Sequence, residues 1–342
     1  MPYTTINKSS AHMNSKIYTG NGSTQSITGV GHQPDLVWIK DRSEANWHNL
    51  YDSVRGVTKR IFSNTSGAEE TQAQGLTAFD TDGFSVGSNV DVNKNNNNYV
   101  SWNWKAGTSF TNSAGSNGAD IASSGSVNTA AGFSIIKATS DSAADKNIAH
   151  GLGVVPDVIF SKNLDSGYNW DIYFKELGYN AALRLNSTNT TLTGRWGSSA
   201  FTANTFQTKE NYSSTNGEEY IYYCFASKTG FSKFGSYYGN SSTDGEFIYL
   251  GFRPAFVIIK RTNSTKDWFV WDNKTAPRNP TNAYLRVNTD GVAGSYDWLD
   301  FVGNGIKIRN TSDGANNDGD HYVYMAFGQS IVGSNDVCAT AR

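Results

Sequence analysis

Two groups of side chains in this sequence could do chemistry: carboxylates crowded among amides, and aromatic rings set among polar neighbours. The densest carboxylate cluster is Asp313-Gly-Ala-Asn-Asn-Asp-Gly-Asp320. Its oxygens, on Asp313, Asn316, Asp318 and Asp320, are of the kind calcium gathers. The segment departs from the EF-hand pattern, because Ala315 stands where Asp or Asn belongs and no downstream Glu completes the loop. It reads first as a solvated turn and only second as a weak calcium site. Asp52, Asp171 and Asp272 raise glycoside hydrolysis, which needs two carboxyls at a defined separation. Three loosely matching acids spread along the chain read better as a structural hydrogen-bond position. Ser134-Ile-Ile-Lys137 and Lys228-Thr-Gly230 match two elements of penicillin-recognising enzymes, but that chemistry needs Ser-x-x-Lys on a helix, and this run is strand-like. The five histidines show no metal-ligand spacing. The expectation is a chain with no catalytic residues, no cofactor and no metal.

Aromatic rings offer a different chemistry. Stacked beneath a saccharide and flanked by Asn or Asp, a Trp or Tyr uses its apolar face and polar edge together. Trp196, Tyr212, Trp271, Tyr296 and Trp298 fall outside the segments that read as core strands, so these five are the candidate glycan platform.

The elements that would position these residues come in threes. A Val/Leu-Gly-x-x-Pro phrase, an apolar run and a Lys recur at Val30–Lys40, Leu152–Lys162 and Leu250–Lys260. Pro34, Pro156 and Pro254 are half of the six prolines in the chain. Further landmarks follow in step: Trp47, Trp170 and Trp268; then Asn64-Thr65, Asn186-Ser187 and Asn288-Thr289; then Phe79/Phe84, Phe201/Phe206 and Phe301/Ile306. Each copy closes on an aromatic strand beginning at Tyr99, Tyr220 or Tyr322. Self-similarity on this scale decides architecture before any local motif.

Helical periodicity is almost absent, and short apolar runs end in Gly, Asn, Asp and Ser clusters, the pattern of all-β folds. The reading is three tandem divergent β-sandwich modules of jelly-roll or lectin-like type: residues 17–106, 131–228 and 231–328. Residues 1–16 read as an N-terminal docking arm and 329–342 as a C-terminal tail. The Gly/Ser/Asn-rich stretch 107–130 reads as a flexible linker, leaving the first module to hang freely. In the closing strands, Val100, Trp102 and Trp104, then Ile221, Tyr223 and Phe225, then Val323, Met325 and Phe327 form the expected core face. Gly153 is expected to serve backbone geometry and His150 to lie on the surface.

Composition narrows the function. Of 342 residues, 13% are aromatic and only 17% charged, with net charge −2, which gives no electrostatic case for nucleic acid or an anionic membrane. No apolar stretch is long enough to span a bilayer as a helix, and the N-terminus lacks the basic and apolar regions of a Sec signal. Cys224 and Cys338 define no disulfide framework.

A family resemblance rests on Tyr18-Thr-Gly-Asn-Gly, Gly29-Val-Gly-His-Gln-Pro-Asp-Leu-Val-Trp-Ile-Lys40, Asp52-Ser-Val-Arg-Gly56 and Asp80-Thr-Asp-Gly-Phe-Ser-Val-Gly87. Phe231-Ser-Lys-Phe-Gly-Ser236 and Gly251-Phe-Arg-Pro-Ala-Phe-Val-Ile-Ile-Lys-Arg261 carry it further. These segments resemble the repeated domain of virion proteins in marine bacteriophages, cyanophages among them, which are often labelled tail fibre or structural protein. The resemblance covers nearly the whole chain; the second unit departs most, with Ser161 before its Lys. It implies a virion surface protein, a tail fibre or fibre-associated component that contributes to host adsorption. Capsid decoration and a carbohydrate-binding array are the alternatives. Implied partners are other virion proteins held through the N-terminal arm, a homo-oligomer that is trimeric by analogy, and a host surface glycan. The resemblance brings no functional residues with it.

Overall fold

Short apolar runs bounded by turn residues fold here as strands. The structure, a computed structural model, describes residues 4–141 and 145–329 and is almost entirely β. The single α-helix among the described residues is one turn, Val90–Asn93, capped by the Asn89 side chain, which accepts from the Asp91 amide. No helix is long and apolar enough to cross a membrane.

Five strands recur in each third of the chain. The opening strands are Met13–Thr19, Phe133–Thr139 and Ser232–Tyr238; the proline-headed strands are Leu36–Asp41, Val158–Asn163 and Arg253–Arg261. Third strands are Asn49–Asp52, Asp171–Phe174 and Trp268–Asp272, and fourth strands are Lys59–Phe62, Ala181–Arg184 and Thr281–Arg286. The closing strands are Asn98–Trp104, Glu219–Phe225 and His321–Gln329. The order in each of the three large sheets is opening, closing, proline-headed, third, fourth. Register repeats as well: Trp38 faces Trp102, Phe160 faces Tyr223 and Ile258 faces Met325. Each closing strand is therefore flanked on both edges by its own unit.

Strand alternation sends side chains to two different cores. From one face, Trp38, Val100, Trp102 and Trp104 of the first unit meet Phe160, Ile221, Tyr223 and Phe225 of the second. Ile258, Val323, Met325 and Phe327 of the third complete a single buried cluster. The expected closing-strand face is thus core, but a core that all three units share. The other face gives each unit a private cluster: Val37, Ile39 and Tyr99 in the first, Ile159, Tyr220 and Tyr222 in the second, Val257, Ile259 and Tyr322 in the third. Strands outside the repeated five cover those faces: Gln25–Thr28 with Gly83–Val86 and Leu76–Asp80, Asn147–Ala149 with Thr205–Gln207, and Phe247–Tyr249 with Gly305–Ile308. At the centre, Trp104 meets Phe256 edge to face at 5.4 Å between ring centroids, the geometry ring quadrupoles favour. The cavity left there, about 10 Å³, is lined only by Leu, Ile, Met and aromatic side chains. That is room for roughly one water with few polar partners to hold it.

Three expectations change. Residues 107–130 are not a free linker: Thr108–Asn112 and Ser123–Asn128 pair with each other, and the latter pairs with Phe133–Thr139, extending the second sheet. The few large apolar residues of the stretch anchor it, since Ile121 is in the private core of the second unit while Phe110 and Val127 pack against it. Gly125 lies so close to its neighbour that a Cβ there would stand 1.9 Å from the Ile135 carbonyl oxygen. The first unit does not hang freely, because its Leu36, Trp38, Leu50, Ile61, Val100, Trp102 and Trp104 lie in the shared core. The arm is likewise packed: Ile6 and Met13 are buried in the same cluster, Met13–Lys16 belongs to the opening strand, and the Ser9 amide donates to Gln329 Oε1 at 2.8 Å. Residues 1–3 of the arm and 330–342 of the tail, with Cys338, lie outside the described residues.

Candidate functional site

The residues retained in all three copies are the natural place to look for a site, and the fold assigns them to one task. Lys40, Lys162 and Lys260 stand one residue before the end of the proline-headed strands and are fully buried. Lys162 Nζ donates to the carbonyls of Asn163 (2.8 Å), Tyr168 (3.1 Å) and, in the first unit, Ser66 (3.2 Å). Lys260 Nζ donates to Arg261 O (2.6 Å) and, in the second unit, to Thr188 O (3.3 Å). Lys40 Nζ donates to Asp41 O (2.6 Å) and, in the third unit, to Asp290 O (3.0 Å). The acceptors in the neighbouring units stand two residues after Asn64, Asn186 and Asn288. Second reaches first, third reaches second and first reaches third, so the ring closes. Burial lowers all three ammonium groups, Lys40 to about 8 and Lys162 and Lys260 to about 7.

The other landmarks build the same seam. Asn64, Asn186 and Asn288 each accept a backbone N–H through Oδ1, from His48 (3.0 Å), Trp170 (3.1 Å) and Trp268 (2.8 Å). Trp170 Nε1 then donates to Phe62 O and Trp268 Nε1 to Arg184 O, each at 2.8 Å and each in the neighbouring unit. In the first unit His48 takes this part, not Trp47: its Nε2 reaches Arg286 O at 3.0 Å while Nδ1 accepts from Trp38 Nε1 at 2.9 Å. Accepting at Nδ1 leaves the proton on Nε2, and burial holds the ring neutral by lowering its pKa. His48, not Trp47, stands 14 residues after its proline, as Trp170 and Trp268 do, and Trp47 is 44% exposed. Main-chain bonds cross every seam as well: Glu69 N to Leu164 O, Thr191 N to Thr262 O, Lys266 N to Thr188 O and Ala293 N to Arg42 O.

Two of the three acids considered for hydrolysis lie in these seams too. Asp52 Oδ2 accepts from Tyr223 of the second unit at 2.7 Å and from Arg55 Nε at 2.5 Å. Asp272 Oδ2 accepts from Trp102 of the first unit at 3.2 Å. By the same rotation the third pair is Phe174 with Met325, where acceptor and donor have both been replaced by apolar residues. An unmatched Asp or Tyr there would leave a buried polar group unsatisfied. Asp171 is not an equivalent of the other two; it pairs across its sheet with Arg184, and burial raises it to about 6.

The weak calcium candidates bond to protein. Asn316 Nδ2 donates to Asn240 Oδ1 (3.2 Å), Ser242 O (2.8 Å) and Asn310 O (2.8 Å), and its Oδ1 accepts from the Asn240 amide (3.0 Å). Asn93 makes the matching clasp in the first unit, to Asn21 Oδ1 (3.1 Å), Gly87 O (2.8 Å) and Ser23 O, and accepts the Asn21 amide (2.9 Å). The clasp accounts for the match between Tyr18-Thr-Gly-Asn21 of the first unit and Tyr237-Tyr-Gly-Asn240 of the third. Asp313 is paired with Lys266 at 2.6 Å and Asp320 with Arg261, while Asp318 is exposed. Among the described residues no group of three or more His, Cys, Asp or Glu is placed to hold a metal.

The glycan platform comes apart on burial. Trp196, Trp271 and Trp298 are core residues: Trp196, at an isolated bridge to Thr208, turns into the private core of the second unit, and the strands bearing Trp271 and Trp298 turn theirs into that of the third. His150 is buried as well, its Nδ1 accepting from the Leu152 amide at 3.2 Å. Tyr212 is exposed, yet the Arg195 guanidinium covers its ring at 4.1 Å. Tyr296 alone is open: 56% exposed, it borders a cleft of about 350 Å³ formed with Thr243, Asp297, Arg309, Asn310 and Thr311. The Trp298 ring supports Tyr296 edge-on at 6.0 Å.

A protein-family model described as a domain of unknown function, DUF7483, matches residues 8–330. The chain belongs to that family. One family domain therefore runs through all three units and the 107–130 hairpin, in keeping with the shared core. No curated protein matches the chain.

Proposed function

We propose that the chain is a structural protein of a bacteriophage particle surface, a tail fibre or fibre-associated component that contributes to host adsorption. Its architecture on this reading is three divergent β-sandwich units closed into one body with pseudo-threefold symmetry. The observation that carries the reading is the closed ring of Lys40, Lys162 and Lys260, each capping a carbonyl of the neighbouring unit. Side chains retained through triplication are spent on holding units together, as in a building block whose job is shape. The threefold arrangement that fibres commonly obtain from three chains would here come from one. Docking onto the particle would use an outer surface, since Ile6 and Met13 anchor the arm in the shared core.

Immunogold labelling of intact particles that encode this chain tests the proposal. Gold on the tail supports a fibre role, gold over the head makes the chain a capsid decoration, and particles free of the protein overturn the virion assignment.

A further inference from the structure

We propose that the Tyr296 cleft of the third unit is a saccharide-binding site. The inference deepens the adsorption part of the proposed function and rests on it for its biological setting. Its floor is fixed: Asn310, buried, donates from Nδ2 to Asp297 O at 3.0 Å and accepts the Ser312 amide at 2.8 Å. Arg309 N bonds to Trp298 O at 2.9 Å, and Arg309 Nε pairs with Asp300 at 2.6 Å, which orients the guanidinium and leaves its terminal nitrogens to donate. No hydrogen bond among the described residues engages the Tyr296 hydroxyl, the Asp297 carboxylate or the hydroxyls of Thr243 and Thr311.

This set of free groups matches one ligand chemistry. An exposed tyrosine face packs on the C–H face of a pyranose, while a carboxylate accepts from two vicinal hydroxyls and a guanidinium donates to ring or hydroxyl oxygens. The cleft is too polar for a lipid or an apolar peptide, and with one carboxylate and one guanidinium facing it, the guanidinium already paired with Asp300, it carries no net positive charge to select an anion. A cleft of about 350 Å³ is of the size that holds one or two sugar rings. The exposed Tyr212 of the second unit offers no such face, because the Arg195 guanidinium lies over it.

Saturation-transfer difference NMR on the full chain, with glucose, galactose, mannose and N-acetylglucosamine as separate probes, tests the assignment. Transfer to the C–H protons of at least one sugar is expected. It should weaken roughly tenfold in Tyr296→Ala, with a smaller loss in Asp297→Asn and none in Tyr212→Ala. Tyr296 and Asp297 are exposed, so both variants should keep the parent thermal midpoint, which is checked in parallel. No transfer to any of the four sugars, or transfer unchanged in Tyr296→Ala, overturns the inference. Free sugar binding is read without reference to the particle, so this result and the immunogold result can fail independently.

Discussion

Replacing Lys162 with Met removes one link of the ring while keeping the length of the side chain. Three carbonyls lose their donor, one of them across the seam to Ser66. Hydrogen bonds to a charged donor contribute about 1.5–3 kcal/mol each, and part of that is offset because a buried ammonium is no longer desolvated. A net loss of roughly 2 kcal/mol at neutral pH is the expected outcome. The pH dependence is the sharper quantity. In the folded protein burial holds Lys162 at about 7, whereas in the unfolded chain a lysine titrates near 10.4. Between those values the unfolded state binds the extra proton, so the lysine raises stability as pH rises, by at most about 1.4 kcal/mol per pH unit. The carbonyls around Nζ favour the charged form and reduce this, leaving about 1–2 kcal/mol between about pH 7 and 9. Urea titrations of the parent and of Lys162→Met, followed by tryptophan fluorescence at both pH values, give the comparison. The gap between the two proteins should widen by that amount toward pH 9. A gap that stays constant would refute the desolvated ammonium, and a variant as stable as the parent at both pH values would refute the interlock itself.

Other substitutions separate seam residues from bystanders. Asp52→Ala removes the nearer of the two carboxylates on buried Arg55, leaving Glu69 at 3.3 Å, and takes the acceptor from Tyr223; a loss of about 3 kcal/mol in urea denaturation is expected, and a loss below about 1 kcal/mol would show that the seam does not depend on Asp52. His150→Ala should cost more than Gly153→Ala in thermal midpoint. The imidazole is buried and hydrogen-bonded, whereas a Cβ on Gly153 meets no atom within 4 Å and suffers only from the backbone φ of +71°, worth about 1 kcal/mol. The reverse order would contradict the placement of that loop.

The repeat, the strand content and the core face of the closing strands were legible because alternation and fixed spacing are local properties. Trp102, Tyr223 and Met325 could be assigned to one buried face from period alone. What covers that face was not legible. Three units that each look able to bury their own core read as beads on a string, and only the assembled sheets show that the aromatic faces turn toward one another. The same blindness affected residues 107–130, whose Gly and Ser content is common to flexible linkers and to edge strands ordered by a neighbouring backbone. Among the candidate binding residues, Tyr296 kept its exposure while Trp196, Trp271 and Trp298 did not, since sequence cannot tell a ring that turns inward from one that turns out. Asp297 and Arg309 carry no motif and became visible only beside Tyr296.

Differential scanning calorimetry of the intact chain tests most directly whether three units form one body. A shared core closed by a ring of cross-unit bonds predicts a single unfolding transition whose calorimetric and van't Hoff enthalpies agree. Two or three resolved transitions, or a calorimetric enthalpy several times the van't Hoff value, would mean that the units unfold separately and would contradict the account.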